Sequence, residues 1–496
     1  MSFDYKRITQ QFGVSYIFTF LIFIFSPILT FLLTRVLSVA EYGVYSIISA
    51  TITVLATLLV FGLPFFVTTK LPGYKHSEKI KAMASILVFE FILLSVIMFI
   101  LFIPGIQNSI LSRLNIGSYK LEFQLSLIIA SISTLLAIVA SYLAANREME
   151  KQSFIFFLRT CLWIIFLGIF YFIIGKFNLT NVFFIWLIGI IITFLTLLLS
   201  IRKDIAFFFK NVNKKVNISL IKKSLTFSLP LVLFFTSGLI ITLADRYMIN
   251  YYNGAALTGI YSLSYAIVSI ILSFSGVISS ILYPHLAKAW SEKKEYNILF
   301  NAMLKYNLLI VLPTMVGLFV LRNQIITLIS GPEYLLAAPA LMILISFPLF
   351  ASLITILTNN LMLRDKTRLI GYVYTGGAVL NIILNLILIP RYGINGAATA
   401  TITSYLFMYI IFHYVTRDQF SWNFRFIRIE RIILASLIMG VILFLINPTT
   451  YITKITSLIL GVIIYVILIY LLRVFADKEY SIIRSFLPKF LHRFFK

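Results

Sequence analysis

Fourteen apolar stretches run through this chain of 496 residues, and its Lys and Arg residues are sorted between the gaps that separate them. Counted from the N-terminus, the odd-numbered gaps hold 31 of the 41 basic residues, whereas the even-numbered gaps hold 8. Basic residues concentrate in the cytoplasmic loops of multi-pass membrane proteins, and an even number of crossings returns a chain to its starting side. The pattern therefore predicts a polytopic membrane protein with both termini in the cytoplasm.

Each apolar stretch has about the 20 residues that an α-helix needs to cross the hydrocarbon core of a bilayer. A lone span must satisfy its backbone hydrogen bonds internally, and no alternating ten-residue pattern favours a barrel, so the sequence predicts an all-α fold. Hydrophobic residues make up 60% of the chain, more apolar surface than a soluble core of this length encloses. The predicted spans are 14–34, 43–63, 83–103, 121–145, 154–174, 182–201, 224–243, 258–283, 301–321, 337–360, 370–389, 394–416, 432–447 and 455–473.

The chain repeats itself weakly at an offset of about 216 residues. YGVYSII begins at Tyr42, and TGIYSLS begins at Thr258. Several weaker matches keep nearly the same offset, which indicates a duplication. Six helices duplicated as six more, with two added at the end, account for about 14 spans. Two lobes with an even number of helices share one orientation and are related by a pseudo-two-fold axis along the membrane normal.

The repeat and the charge pattern together predict five segments along the chain. Short gaps leave no room for a folded domain outside the membrane, and the C-terminal segment has an apolar helical face beside basic positions, as in helices that lie on an inner leaflet. The segments are an N-terminal six-helix lobe (1–201), a basic cytoplasmic linker (202–223), a C-terminal six-helix lobe (224–416), helices 13 and 14 (417–473) and a basic amphipathic cytoplasmic tail (474–496).

Charged side chains in or beside apolar spans are the candidates for a substrate path, because a charge at mid-bilayer costs about 2.5–3.5 kcal/mol on insertion scales. Arg35 and Arg246 lie on the base-poor outer side, at corresponding places in the two lobes. Lys70 follows the second span, and Arg159 and Lys305 begin the fifth and ninth. These five bases are candidates for a cationic cavity; the alternative is that they extend to the lipid headgroups.

Two acids are candidates for ion coupling or for pairing with a cavity base. Glu90 is the only acidic residue well inside a predicted span, and Asp245 directly precedes Arg246. Glu90 can carry a coupling proton, or it can be a neutral or paired carboxyl that joins two helices.

The sequence lacks the residues that other classes of function require. The net charge of +24 resides in short loops beside apolar spans, which is typical of membrane topology and of attraction to anionic lipids rather than of nucleic-acid binding. A single cysteine and four scattered histidines give no metal-ligand cluster. There is no phosphate-binding loop and no nucleophile motif. We therefore expect no cofactor, no metal and no enzymatic activity.

Three stretches of the sequence resemble one known family. They are SPILTFLLTRVLSVAEYGVYS (26–46), ADRYMINYYNGAALTGIYSLSYAI (244–267) and LNIILNLILIPRYGINGAATAT (380–401), the last being the most specific. Each is similar to a signature of the bacterial polysaccharide and O-antigen flippases, the polysaccharide-transport branch of the multidrug/oligosaccharidyl-lipid/polysaccharide exporter superfamily. The resemblance extends over nearly the whole chain.

This resemblance implies a flippase in the bacterial cytoplasmic membrane that translocates an undecaprenyl-pyrophosphate-linked O-antigen or capsular repeat unit by alternating access. The partners it implies are the polyprenyl-pyrophosphate-linked oligosaccharide, membrane lipids, and the glycan polymerase with its chain-length machinery. Energy would come from an ion gradient or from consumption of the product by polymerisation. The alternatives are a drug or cation antiporter of the same superfamily and a flippase for a peptidoglycan or teichoic-type lipid precursor. A membrane glycosyltransferase or polymerase is disfavoured, because the outer gaps are short and hold few acids.

Overall fold

In the computed structural model of the protein, residues 5–175, 177–205, 217–292, 296–419 and 421–475 are described. All regular structure in these ranges is helical, and thirteen of the helical segments are long and apolar enough to cross a membrane. This confirms the prediction of an all-α, multi-pass membrane protein. The predicted placement of both termini in the cytoplasm stays a prediction, and the tail from residue 476 and linker residues 206–216 lie outside the described ranges.

The helices follow one another closely along the chain. They are α1 (Tyr5–Val36), α2 (Val39–Leu59), α3 (Leu63–Lys70), α4 (His76–Phe102), α5 (Pro104–Arg113), α6 (Lys120–Ala145), α7 (Met149–Ile174), α8 (Leu179–Ser200), α9 (Ile218–Asn253), α10 (Ala255–Glu292), α11 (Tyr296–Ile329), α12 (Ala337–Leu344), α13 (Phe347–Leu363), α14 (Thr367–Thr416), α15 (Phe424–Ile427), α16 (Ile429–Ile446) and α17 (Tyr451–Leu471).

Two compact units account for the internal contacts of the chain. The first unit contains residues 1–270 and 368–404, and the second contains residues 271–367 and 405–496. The first unit therefore holds α1 to α9, the first part of α10 and most of α14. The predicted lobe boundaries at residues 201, 224 and 416 stay a prediction.

The 50-residue helix α14 explains how fourteen predicted spans become thirteen long helical segments. At a rise of 1.5 Å per residue it is about 75 Å long, enough for two crossings of a bilayer. It is interrupted by Gly393, whose φ of 54° and ψ of −132° are not helical. Glycine adopts such a positive φ without a Cβ clash. The interruption falls between the predicted spans 370–389 and 394–416.

Helices α2 and α10 approach each other to backbone contact at Gly43 and Gly259. A Cβ atom on Gly43 would lie 1.8 Å from the carbonyl oxygen of Ala255, and one on Gly259 would lie 2.4 Å from that of Val39. Small residues permit such close packing of membrane helices, where van der Waals contact drives association. Both glycines belong to the sequence repeat, so equivalent positions of the two repeats pack against one another in the first unit.

Helices α7 and α8 also pack closely through a glycine. A Cβ atom on Gly189 would lie 2.7 Å from the Cβ of Trp163. This close approach lets the indole rings of Trp163 and Trp186 stack, with centroids 4.9 Å apart and planes 10° from parallel. The sequence therefore places two large flat rings face to face in the first unit.

Candidate functional site

A cavity of about 510 Å³ lies in the first unit, where α1, α2, α7, α8 and α9 meet. Its volume is within the range of about 300–1,000 Å³ that is usual for pockets binding small molecules. The lining combines guanidinium groups, aromatic rings and hydroxyls, and it consists of Leu29, Tyr45, Ser49, Ala50, Thr53, Phe156, Arg159, Thr160, Trp163, Trp186 and Arg246.

The structure brings together two of the five predicted cavity bases, Arg159 and Arg246. Arg159 lies ten residues after the first residue of α7, about 15 Å along the helix axis. Arg246 lies seven residues before the end of α9, about 10 Å from it. The sequence predicts that both residues lie at span ends. The helices α7 and α9 continue well past them, and where the membrane boundary crosses these helices stays a prediction.

The electrostatic character of the cavity is positive. Neither Arg159 nor Arg246 forms a salt bridge within the described ranges, and the lining contributed by those residues includes no carboxylate. The Nε of Arg246 is buried without a hydrogen bond to a described residue, and its guanidinium lies 5.4 Å from the ring centroid of Tyr265. A guanidinium that lines a cavity and forms no salt bridge to a described residue favours an anionic ligand, since carboxylate or phosphate oxygens match its donors.

Asp245 is held in place by its neighbours. Its side chain is fully buried, and its carboxylate accepts hydrogen bonds from the hydroxyl of Tyr261 and, at 2.9 Å, from the backbone N–H of Arg246. The bond from Tyr261 joins α10 to α9 at the residue beside the cavity arginine. The Asp245 carboxylate is thus fixed one residue from Arg246, while its predicted part in ion coupling or in a charge pair stays a prediction.

Aromatic and hydroxyl side chains complete the cavity wall, and sequence reasoning missed them. Tyr45, Ser49 and Thr53 recur every fourth residue on one face of α2, a spacing that brings side chains together on a helix. Phe156, Thr160 and Trp163 follow a similar spacing on α7. A search for polar and aromatic residues at helical spacing within the spans would have found them. Flat rings and hydroxyls side by side suit the apolar faces and hydroxyl groups of a sugar.

The other three predicted cavity bases lie elsewhere. Arg35 is in the last turn of α1, with its guanidinium 5.6 Å from the ring centroid of Phe31. Lys70 ends α3, with its Nζ 5.0 Å from the ring centroid of Phe227. Lys305 belongs to the second unit. None of the three lines the 510 Å³ cavity, and their roles in binding stay predictions.

Lys305 is only 1% exposed, and its Nζ lies 5.1 Å and 5.3 Å from the ring centroids of Phe426 and Phe475. Such cation–π contacts stabilise an ammonium that has lost its water.

Glu90 is fully buried in α4, and neither of its carboxylate oxygens has a hydrogen bond to a described residue. It is in no salt bridge of the described ranges. No described residue pairs with Glu90, and its roles in coupling or as a neutral or paired carboxyl that joins two helices stay predictions.

The fold and the cavity define a class: a multi-pass helical membrane protein with a cationic cavity. The model for a family described as polysaccharide biosynthesis proteins matches residues 8–290, more than half of the chain. The chain belongs to this polysaccharide biosynthesis protein family, which confirms the resemblance drawn from its sequence.

Curated relatives match part of the chain. The probable low-salt glycan biosynthesis flippase Agl15 of Haloferax volcanii is 27% identical over 208 residues, which cover 41% of this chain and 44% of that protein. The teichuronic acid biosynthesis protein TuaB of Bacillus subtilis is 32% identical over 101 residues, which cover 20% of this chain and 21% of that protein. The chain thus spans less than half the length of these relatives.

Solved structures match almost the whole fold. The lipid II flippase MurJ, in an inward closed conformation, superimposes with a TM-score of 0.77 at 18% identity, covering 92% of this chain and 97% of that one. An inward-facing multidrug resistance MATE family transporter of the MOP superfamily superimposes with a TM-score of 0.64 at 13% identity, covering 84% of this chain and 98% of that one. These likenesses confirm the predicted two-lobed helical fold class.

Proposed function

We propose that this protein is a flippase that moves a polyprenyl-pyrophosphate-linked oligosaccharide across the membrane. The observation that carries the proposal is the pair Arg159 and Arg246 in one cavity that is otherwise walled by aromatic rings and hydroxyls. Family membership and the names of relatives such as Agl15 and TuaB support it, because they are proteins of glycan assembly.

The chemistry of the cavity suits each part of such a lipid. Two guanidinium groups supply paired donors to the phosphate oxygens, and such charge-assisted hydrogen bonds are stronger than those between neutral groups. The half-buried ring of Trp186, backed by the stacked and buried ring of Trp163, contributes apolar surface for the first sugars. The polyprenyl chain would stay in the surrounding lipid, so the cavity has to accept only the polar part.

Transport would proceed by alternating access, with the cavity opening to one side of the membrane and then to the other. The finer assignments follow the sequence resemblance: an undecaprenyl carrier, an O-antigen or capsular repeat unit, and the bacterial cytoplasmic membrane. Contact with the glycan polymerase and chain-length machinery belongs to the same proposal.

A drug or cation antiporter is the second candidate, and the cavity argues against it. A site for an organic cation needs carboxylates in its wall, whereas the described wall has two guanidinium groups and no acid. A flippase for a peptidoglycan or teichoic-type precursor would use the same phosphate chemistry and differ in the sugars it accepts.

The proposal is tested by reconstituting the full chain into vesicles with a fluorescent undecaprenyl-pyrophosphate oligosaccharide and following its access to a membrane-impermeant quencher. We expect Arg159→Gln and Arg246→Gln each to slow flipping about tenfold or more, because a hydrogen bond to a charged group is worth about 1.5–3 kcal/mol. The matched control is Arg113→Gln, at the exposed end of α5.

Two results would overturn the proposal. One is wild-type flipping by both cavity variants in protein that inserts and folds normally. The other is proton-driven efflux of an organic cation such as ethidium from the same vesicles with no movement of the labelled lipid, which would support the antiporter.

A further inference from the structure

The second unit contains two adjoining cavities that share the side chains of Leu321 and Leu443. One has a volume of about 330 Å³ and an almost entirely apolar wall. The other has a volume of about 340 Å³ and carries a base and three amides. The shared residues make the two cavities neighbours, and they are named below the apolar end and the polar end of one elongated pocket.

The apolar end lies where α11, α16 and α17 meet. Gly440 permits tight packing there, because a Cβ on it would lie 2.4 Å from the Cγ1 of Val316. Gly317 faces open space, since a Cβ on it would meet only the Cε of Met439, at 3.9 Å. Val462, which also lines the cavity, is 64% exposed, so the pocket is open on the face that α17 turns toward lipid.

The polar end begins at an irregularity in α11. Leu321 has a φ of −97° and a ψ of 16°, which are not helical, and the residues directly after it line the polar cavity. They are Arg322, Asn323 and Gln324, joined by Asn447 from the end of α16.

Hydrogen bonds hold this end together. One N–H of the Arg322 guanidinium donates to the carbonyl oxygen of Phe319 at 2.6 Å, which leaves further donors. Gln324 donates to Asn447 at 3.4 Å, which ties α11 to the end of α16.

A second base lies beside the polar end. The Nζ of Lys454, in the first turn of α17, donates to the hydroxyl of Thr327 at 2.7 Å. Thr327 is one helical turn after Asn323, to whose carbonyl oxygen it donates at 2.9 Å. Arg322 and Lys454 are two of the few bases on the base-poor side of the chain, and the bond to Thr327 brings Lys454 to the part of α11 that follows the polar cavity.

We propose that the elongated pocket binds one anionic phospholipid of the surrounding bilayer. The phosphate accepts hydrogen bonds from Arg322 and the neighbouring amides, and an acyl chain fills the apolar end between α11, α16 and α17. Basic pockets between transmembrane helices recognise lipid headgroups in this way. The predicted orientation of the chain places the headgroup in the outer leaflet.

A bound lipid would stabilise the packing of the last two helices against α11, because it contacts all three. Anything that binds the folded state and not the unfolded one raises the thermal midpoint with its concentration. The pocket shares no residue with the arginine cavity of the first unit, so this inference does not depend on the flippase proposal.

The test uses the full chain, purified in a neutral detergent and supplied with phosphatidylglycerol, phosphatidylcholine or undecaprenyl phosphate. Native mass spectrometry counts the retained lipid, and thermal unfolding reports stabilisation. We expect one phosphatidylglycerol per chain, retained at least tenfold better than phosphatidylcholine and accompanied by a higher thermal midpoint.

Two variants at opposite ends of the pocket are compared with matched controls. Arg322→Gln should lower phosphatidylglycerol retention about tenfold, and Gly317→Leu should abolish it by filling the apolar end. The controls are Arg417→Gln, an exposed base paired with Asp418, and Gly276→Leu, where a Cβ meets nothing within 4 Å. Both controls should bind as wild type.

If both pocket variants retained as much phosphatidylglycerol as the wild type, the assignment of the site would be overturned. Retention of undecaprenyl phosphate in preference to phosphatidylglycerol would overturn the assignment of the ligand, because the pocket would then hold a carrier lipid. If one variant loses its cooperative unfolding transition, the other still decides the matter, since each removes a different half of the pocket.

Discussion

The hydroxyl oxygens of Ser46 and Ser262 lie 2.5 Å apart, although 216 residues separate the two serines along the chain. That separation equals the offset of the sequence repeat, so each serine meets its own equivalent. A contact between equivalent positions is the signature of a two-fold relationship. The glycines three residues earlier show the same symmetry: a Cβ on Gly43 or on Gly259 would lie 3.0 Å from the backbone nitrogen of the other. The local pseudo-two-fold axis of the repeat therefore passes between α2 and α10.

The serine pair predicts a non-additive effect of substitution. Ser46→Ala and Ser262→Ala should each lower the free energy of unfolding by about 1 kcal/mol, because each leaves the other hydroxyl without its partner. The double variant should cost no more than one single change. A double-mutant cycle measured by unfolding in mixed detergent checks this, with an expected coupling of about 0.6–1.7 kcal/mol. Strictly additive losses would mean that the hydroxyls do not interact in solution.

The glycine crossing predicts a larger loss. Gly43→Ala should destabilise by about 1–3 kcal/mol, because its methyl group would overlap the carbonyl oxygen of Ala255 and force α2 and α10 apart. Gly259→Ala should behave alike, since the two positions are equivalent. The matched control is Gly238→Ala in α9, where a Cβ meets nothing within 4 Å and the better helix propensity of alanine should leave stability equal or slightly higher. The thermal unfolding midpoints of the three variants are measured in one detergent. Equal midpoints would contradict the close contact of α2 and α10 at the two glycines.

Much of the fold could be predicted because a membrane-spanning helix leaves a clear pattern in the sequence, a long apolar stretch between charged loops. Apolar windows and sorted charges located every long helix, and the break at Gly393 fell between two predicted spans. The repeat was visible in YGVYS and TGIYS, whereas the meeting of Ser46 with Ser262 was not. A repeat shows which positions are equivalent but not which of them lie on the symmetry axis, since that depends on how the helices pack.

The candidate site was only half predictable for a related reason. A charge in an apolar window is easy to find, so Arg159 and Arg246 were identified as candidates. Hydropathy does not show which way a side chain faces, so the same search also selects Arg35, Lys70 and Lys305, which do not line the cavity. Trp163 and Trp186 read as ordinary apolar residues, and only the close approach at Gly189 brings their rings together beside the arginines.

The anchoring of Asp245 predicts a loss of stability that extends to the cavity. Tyr261→Phe removes a donor to a fully buried carboxylate and should cost about 1.5–3 kcal/mol. Tyr372→Phe is the matched control, because Tyr372 is 73% exposed and should tolerate the change. Flipping by Tyr261→Phe protein that remains folded should fall as well, since the Asp245 carboxylate is fixed one residue from Arg246. A stable variant with wild-type flipping would show that this positioning is dispensable.

The geometry of the arginines predicts that charge alone does not restore transport. Arg159→Lys and Arg246→Lys keep the positive charge and lose the planar pair of donors, so each should flip the labelled lipid at a rate between those of the glutamine variant and the wild type. Initial rates at several substrate densities measure this. Full activity in both lysine variants would show that the cavity needs only positive charge, whereas no gain over glutamine would assign the whole effect to paired hydrogen bonds.

The isolation of Glu90 predicts opposite effects on stability and on coupling. A charged carboxylate without a partner would be costly within a span, so Glu90→Gln, a neutral side chain of nearly the same shape, should leave the thermal midpoint unchanged or higher. If the carboxyl carries the coupling proton, the same variant should flip the labelled lipid at one rate whether or not a proton gradient is imposed, while the wild type accelerates. Glu78→Gln at the exposed start of α4 is the control and should respond to the gradient normally. An unchanged gradient response in Glu90→Gln would remove the residue from the coupling path, and a large drop in its midpoint would show instead that Glu90 holds helices together.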